Sequence, residues 1–254
     1  IGVYILFFFI SFFITKNGLK TIKKLNLLQH IRTEGPANHF KKSNTPTMGG
    51  IFLIIPFLIF LLVITINLGS PKLLLLLFTI FGFFITGLLD DYLSIKNRKN
   101  TGLKSKEKFI LQSIISIIFI FIAYENDLLN PIIKISESWE IDTSIFIFPI
   151  SFLILVGISN SVNLTDGLDG LAAGCSGIVF YGLGTEILMK GQKELFVFSV
   201  LCYSMSGLCL GFLKYNSYPA KIFMGDTGSL SIGAILGSIA LLTNSVFTLS
   251  IFSG

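Results

Sequence analysis

The chain has 254 residues, of which 52% are hydrophobic and only 13% charged, with a formal net charge of +5 and a mean hydropathy of +0.81. That apolar content excludes an ordinary soluble domain and indicates an integral membrane protein. The positive charge does not point to a nucleic-acid partner, because the basic residues fall in short stretches between apolar runs and not on a polar domain.

The first apolar run, 1–15, is unbroken but shorter than the roughly 20 residues a spanning helix needs, so it reads as a helix truncated at its start. No basic leader precedes it, as a signal peptide would require. A polar, basic connection covers 16–46, and apolar runs then follow at 48–67, 73–89, 109–124, 144–159, 171–189, 195–213 and 230–246. Together they predict an all-α, polytopic membrane bundle of eight helices in one domain over 1–254. Cys175, Cys202 and Cys209 lie inside these runs without CxxC or Cys/His spacing and read as packing residues. His30 and His39 are isolated and no HExxH is present, so zinc is not expected.

Alternating crossings place 16–46, 90–108, 159–170 and 214–227 on one side. Of the 19 lysines and arginines, 15 fall there, leaving Lys72, Lys134, Lys190 and Lys193 opposite. The positive-inside rule makes the first side cytoplasmic. Asp90, Asp91, Asp166, Asp169 and Asp226 belong to that side, whereas Glu125, Asp127, Glu137, Glu140 and Asp142 form an acidic loop on the other. Ionisable residues at a membrane edge are expensive to desolvate, so function is the default expectation for five aspartates that can converge at one mouth.

Asp90 and Asp91 are expected to close the helix over 73–89, where they oppose the macrodipole and each other. A divalent cation relieves both penalties, and Mg2+ suits hard carboxylate oxygens. In Asn163-Leu-Thr-Asp166-Gly-Leu-Asp169-Gly170, a helical reading puts Asn163, Asp166 and Asp169 on one face, with Gly167 and Gly170 leaving the backbone open to a bulky ligand. A solvated loop with Asx turns is the plainer alternative. In Phe223-Met-Gly-Asp226-Thr-Gly-Ser229, the N–H groups at a helix start are expected to face a phosphate, with Asp226 sharing its metal and Phe223 stacking on a base. Simple capping by Asp226 or Thr227 is the alternative there. Lys42 and Thr47, beside Gly49 and Gly50, are placed to meet a diphosphate, and the basic tract 96–108 to meet anionic headgroups of membrane lipids.

Taken in order, Thr45-Pro-Thr-Met-Gly-Gly50, Asp90-Asp91 with its basic loop, Asn163 to Gly170 and Met224-Gly-Asp-Thr-Gly-Ser229 resemble the phospho-N-acetylmuramoyl-pentapeptide transferase family across nearly the whole chain. The resemblance implies a bacterial inner-membrane enzyme with a cytoplasmic active site and Mg2+, moving phospho-MurNAc-pentapeptide from UDP-MurNAc-pentapeptide to undecaprenyl phosphate and releasing UMP. It is compatible with a homodimer. By motif position it implies catalytic roles for Asp90, Asp91 and Asp226, metal binding by Asp226, Asp91 and Asp166, and substrate contacts from Lys42, Thr47, Lys106, Asn163, Asp166, Asp169 and Phe223. The family's lysine three residues after the second Asp is replaced by Ser94, so a phosphate contact there either falls to Lys96 or is absent. Ten helices and a His-rich loop are expected in the family, so the chain reads as truncated at both ends. A polyprenyl-phosphate transferase using UDP-GlcNAc and an ion-coupled transporter are the rival readings.

Overall fold

The computed structural model describes residues 2–24, 45–97, 102–134 and 139–253. Helix α1 (Gly2–Lys24) runs nine residues past its apolar stretch, because a buried stripe of Phe7, Ser11, Thr15, Leu19 and Ile22 continues through the lysine-rich segment. At 23 residues it is long enough to cross a bilayer, which the apolar run alone did not suggest. There follow α2 (Ile51–Leu68), α3 (Pro71–Asn97), α4 (Ser105–Glu125), α5 (Ile147–Thr165), α6 (Leu171–Met189), α7 (Phe196–Asn216), α8 (Asp226–Leu242) and the short α9 (Val246–Ser253). The first seven are long and apolar enough to span a membrane, and α8, at 17 residues or about 25 Å, completes the eight expected runs. Helix α9 was not expected. Nor was the hairpin of β1 (Ile132–Lys134) and β2 (Glu140–Asp142), which sits in the acidic loop with Ile133 opposite Ile141.

Helix α8 is the axis of one half of the bundle. Every residue from Thr227 to Leu242 is buried, so the helix is enclosed on all sides and presents no face to the outer surface. Helices α3 and α5 pack along it, α4 lies across those two, and α7 holds α1 and α6 on its other side, with α2 between the halves. The outer surface carries Ile66, Phe81, Phe121, Leu153 and Ile178, each exposed, as lipid-facing helices require. Cys202 and Cys209 pack in the core as expected, whereas Cys175 is exposed.

The helix directions alternate, and close backbone approaches show which ends meet. A Cβ at Gly50 would fall 2.2 Å from the Gly228 nitrogen, joining the starts of α2 and α8. A Cβ at Gly87 would fall 2.2 Å from the Asp226 carbonyl oxygen, joining the late part of α3 to the same point. Only glycine permits either approach. These contacts draw the chemistry-bearing residues to one end of the bundle.

Candidate active site

Two helix boundaries differ from the sequence expectation, and both shape the site. Helix α3 does not stop at Leu89 but continues to Asn97, so Asp90 and Asp91 lie inside it and are each 7% exposed. Six further residues, about 9 Å of helix, extend past Asp91 and recess the pair below the helix end. Their penalty therefore comes from burial and from the nearby Asp226 carboxylate and not from the terminal dipole. Helix α4 begins at Ser105, which makes Lys106 and Lys108 helical residues and not loop residues.

Asp91 anchors the start of α8. Its Oδ1 accepts the Asp226 N–H at 3.1 Å, and its Oδ2 accepts the Thr227 N–H at 3.0 Å and the Thr227 hydroxyl at 2.6 Å. The next two N–H groups, of Gly228 and Ser229, both donate to the Gly225 carbonyl. The expectation that this helix start faces a phosphate is thereby corrected: its N–H groups are already taken, by a carboxylate from α3. Gly225 is obligatory in this clasp, with φ at +74° and a Cβ position only 2.5 Å from Asp91 Oδ2.

The Asp226 carboxylate is held from two sides. Asn163 Nδ2 donates to its Oδ1 at 2.8 Å and also to Ser229 Oγ at 2.8 Å. Lys108 Nζ ion-pairs with its Oδ2 and, at 3.1 Å, with Asp90 Oδ1. Asp90 Oδ1 also accepts the Leu103 N–H at 3.0 Å. One ligand oxygen from each of Asp90, Asp91 and Asp226 lies within 4.8 Å of the others, which is metal-binding geometry. That set contains Asp90 where the resemblance implied Asp166. Asp166 adjoins it by accepting the Gly225 N–H. Burial, with the Asp226 and Asp91 carboxylates nearby, holds the Asp166 carboxyl well above its ordinary value despite that bond.

The run from Asn163 to Gly170 is not one helical face. Helix α5 ends at Thr165, Asp166 is its C-cap, and 166–170 is a turn. Asp169 instead reaches the segment after α7, accepting the Ala220 N–H at 3.0 Å. Gly170 does not open the backbone to a ligand: φ is +79°, and a Cβ would meet Leu213 at 2.9 Å. Gly49 and Gly50 likewise serve backbone pairing, donating to the Phe223 and Met224 carbonyls, while the Phe223 N–H donates to Pro46. Thr47 is buried beside this pairing, and Phe223 is half-buried. The loop 217–225 is thus stitched to two of the other motifs: to 163–170, through Asp169 at Ala220 and Asp166 at Gly225, and to 46–50 at Phe223 and Met224.

The basic residues sort differently from the expectation. Lys106 is exposed, and Lys108, two residues on and so on the opposite side of α4, reaches the carboxylates. Lys96 lies 5.9 Å from the Tyr92 ring centroid, and among the described residues the cation paired with these carboxylates is Lys108. Lys42 lies outside the described residues. Lys108, Thr227 and Ser229 were missed from sequence. A signal for Lys108 existed: Lys108, Gln112 and Ser116 recur every fourth residue in a run whose other residues, apart from Ser113, are apolar.

The sequence matches the family model described as glycosyl transferase family 4 over residues 73–244, and the phospho-N-acetylmuramoyl-pentapeptide-transferase signature 1 over residues 42–54. It is similar to the phospho-N-acetylmuramoyl-pentapeptide-transferase of Prochlorococcus marinus strain MIT 9301, 83% identical over 253 residues that cover 100% of this chain and 71% of that protein. The protein of the same name from Thermodesulfovibrio yellowstonii is 39% identical over 263 residues, covering 97% of this chain and 73% of the relative.

Proposed function

The chain belongs to glycosyl transferase family 4 and, within it, to the phospho-N-acetylmuramoyl-pentapeptide-transferases; from that membership we propose that it transfers phospho-MurNAc-pentapeptide from UDP-MurNAc-pentapeptide to undecaprenyl phosphate. The products are UMP and a lipid-linked peptidoglycan precursor. The observation that carries this reading is the convergence of the Asp90-Asp91 pair with Asp226, from a distant part of the chain, at one end of a membrane bundle, with the Lys108 ammonium between Asp90 and Asp226. That end is assigned to the cytoplasmic face of the inner membrane by the bias of lysine and arginine along the sequence.

The donor set fits Mg2+: three hard carboxylates close together leave coordination positions for water and phosphate oxygens. Asp226 would hold the ion with Asp90 and Asp91 beside it, and Asp166 would join through the Gly225 turn. When bound, Mg2+ offsets the charge of the diphosphate and of the departing UMP.

The remaining work belongs to the chain. Lys108 sets positive charge between Asp90 and Asp226, where two anionic substrates must approach each other. Asn163 fixes the orientation of the Asp226 carboxylate. Asp91, with both oxygens committed to α8, is the anchor, which leaves Asp90 to take or hold the proton of the acceptor phosphate. An oxygen of undecaprenyl phosphate attacks the β-phosphorus, a new P–O bond forms, and the bond to the bridging oxygen breaks with its electrons leaving on UMP. Thr47, Asp169 and Phe223, gathered around the 217–225 loop, are the uridine and diphosphate contacts in this reading, together with Lys42.

The test offers UDP-MurNAc-pentapeptide and UDP-GlcNAc separately with undecaprenyl phosphate and measures UMP. Release with the first substrate only is expected, and the match at residues 42–54 favours that choice. Turnover of UDP-GlcNAc alone would overturn it, and trapping of a phosphorylated aspartate would overturn the direct route. Ion flux in proteoliposomes without UMP release would favour a transporter, although the clustering of ionisable groups at one end argues against midplane binding.

A further inference from the structure

We infer that Gln112 and Asn160, an amide pair one helical turn beneath the carboxylates, position Lys108 and Asn163 on Asp226; this rests on the transferase reading. Gln112 lies four residues after Lys108 on α4, and Asn160 three residues before Asn163 on α5, so each amide shares a helix face with a residue that touches Asp226. Asn160 Nδ2 donates to Gln112 Oε1 at 2.6 Å and to the Val156 carbonyl at 2.7 Å. That bond ties α4 to α5 directly below the point where both must reach the same carboxylate. A slide or rotation of one helix against the other would change the separation of the Lys108 and Asn163 donors.

The pair is poorly explained by packing. Gln112 and Ser116 are fully buried, and among the described residues Gln112 Nε2 and Ser116 Oγ have no hydrogen-bond partner. A buried amide with its NH2 group unmet weakens a bundle that a leucine would fill without loss. Further along the same face, Phe119 and Ala123 are apolar and buried, so the polarity is confined to the two turns below the site. An amide retained at the expense of stability, bonded across to the helix carrying the second Asp226 donor, is the mark of a positioning residue.

The experiment uses Gln112→Leu, Asn160→Leu and the double variant in the full chain in lipid nanodiscs, with Gln112→Met as a second choice of matching volume. Three quantities are read: UMP release, melting temperature, and Mn2+ affinity by electron paramagnetic resonance. For each single variant kcat should fall about tenfold to a hundredfold, since small misplacements at a reacting centre have that effect. KM for UDP-MurNAc-pentapeptide should stay within about twofold, because neither amide is placed against substrate. The melting temperature of the Gln112 variants should equal or exceed that of the parent, Mn2+ should bind about tenfold more weakly, and the double variant should be no worse than the worse single one. Unchanged kcat, losses that follow a fall in melting temperature, or losses that multiply in the double variant would overturn the inference. If the parent protein releases no UMP, the transferase reading fails by itself, and a Gln112→Leu protein that binds Mn2+ as the parent does would still sink the positioning role.

Discussion

Asp90 and Asp91 are neighbours in sequence with different duties. Asp91 accepts two N–H groups and a hydroxyl at the start of α8, whereas Asp90 faces Lys108 and the Leu103 N–H. Asp91→Asn should therefore lower stability by about 1–3 kcal/mol, the cost of leaving buried donors badly met, as measured by denaturation in detergent. Asp90→Asn should leave the melt nearly unchanged while reducing UMP release by about a hundredfold or more. Asp166 predicts a pH effect. Its carboxyl is held above the ordinary value, so between the unfolded and folded pKa the native protein binds the extra proton and loses stability as pH rises. Melting temperature in chelator should fall as pH climbs from the ordinary carboxylate range through the raised one, and Mg2+ or Asp166→Asn should flatten that slope. Which of the conspicuous acids does what was not legible in the sequence, because hydrogen-bond partners from distant segments decide it.

The interface between α3 and α8 aligns the carboxylates. Gly87 lets the Asp226 carbonyl approach to a distance that a methyl group would occupy. Gly87→Ala should separate the helices, costing about 1–3 kcal/mol in thermal stability, and should reduce activity by moving Asp226 away from Asp90. Gly157 is the control: its Cβ position has nothing within 4 Å, so Gly157→Ala should be neutral or slightly stabilising in the same melt. Apolar runs located the helices well but not their ends. Helices α1, α3 and α4 each extend through polar residues, because a buried stripe or a clustered partner satisfies the side chains there. The tightening turn after α5 was the reverse case, where a glycine-rich polar run looked helical by spacing and folded as a cap.

At the scale of the bundle, the site and the described lysines at the end of α3 and the start of α4 share one end, while the β1–β2 hairpin and the polar cavity bounded by Lys72, Glu186, Lys190 and Asn244 lie at the other. Sidedness is measurable. In a Cys175→Ser background, Lys106→Cys should react with an impermeant maleimide only from the cytoplasmic side and Trp139→Cys only from outside, since both positions are exposed; the opposite pattern would invert the assigned topology. Hydropathy and four short motifs were enough to determine from sequence a polytopic membrane protein and its family, because burial in lipid is a property of local composition and the motifs are contiguous in the chain. Only the tertiary structure decided that Lys108 pairs with Asp90 and Asp226, that Asp91 caps α8, and that the 217–225 loop joins 46–50 to 163–170. Those facts depend on contacts between residues as far apart as Asp91 and Thr227, and no local pattern encodes the register at which two helices meet.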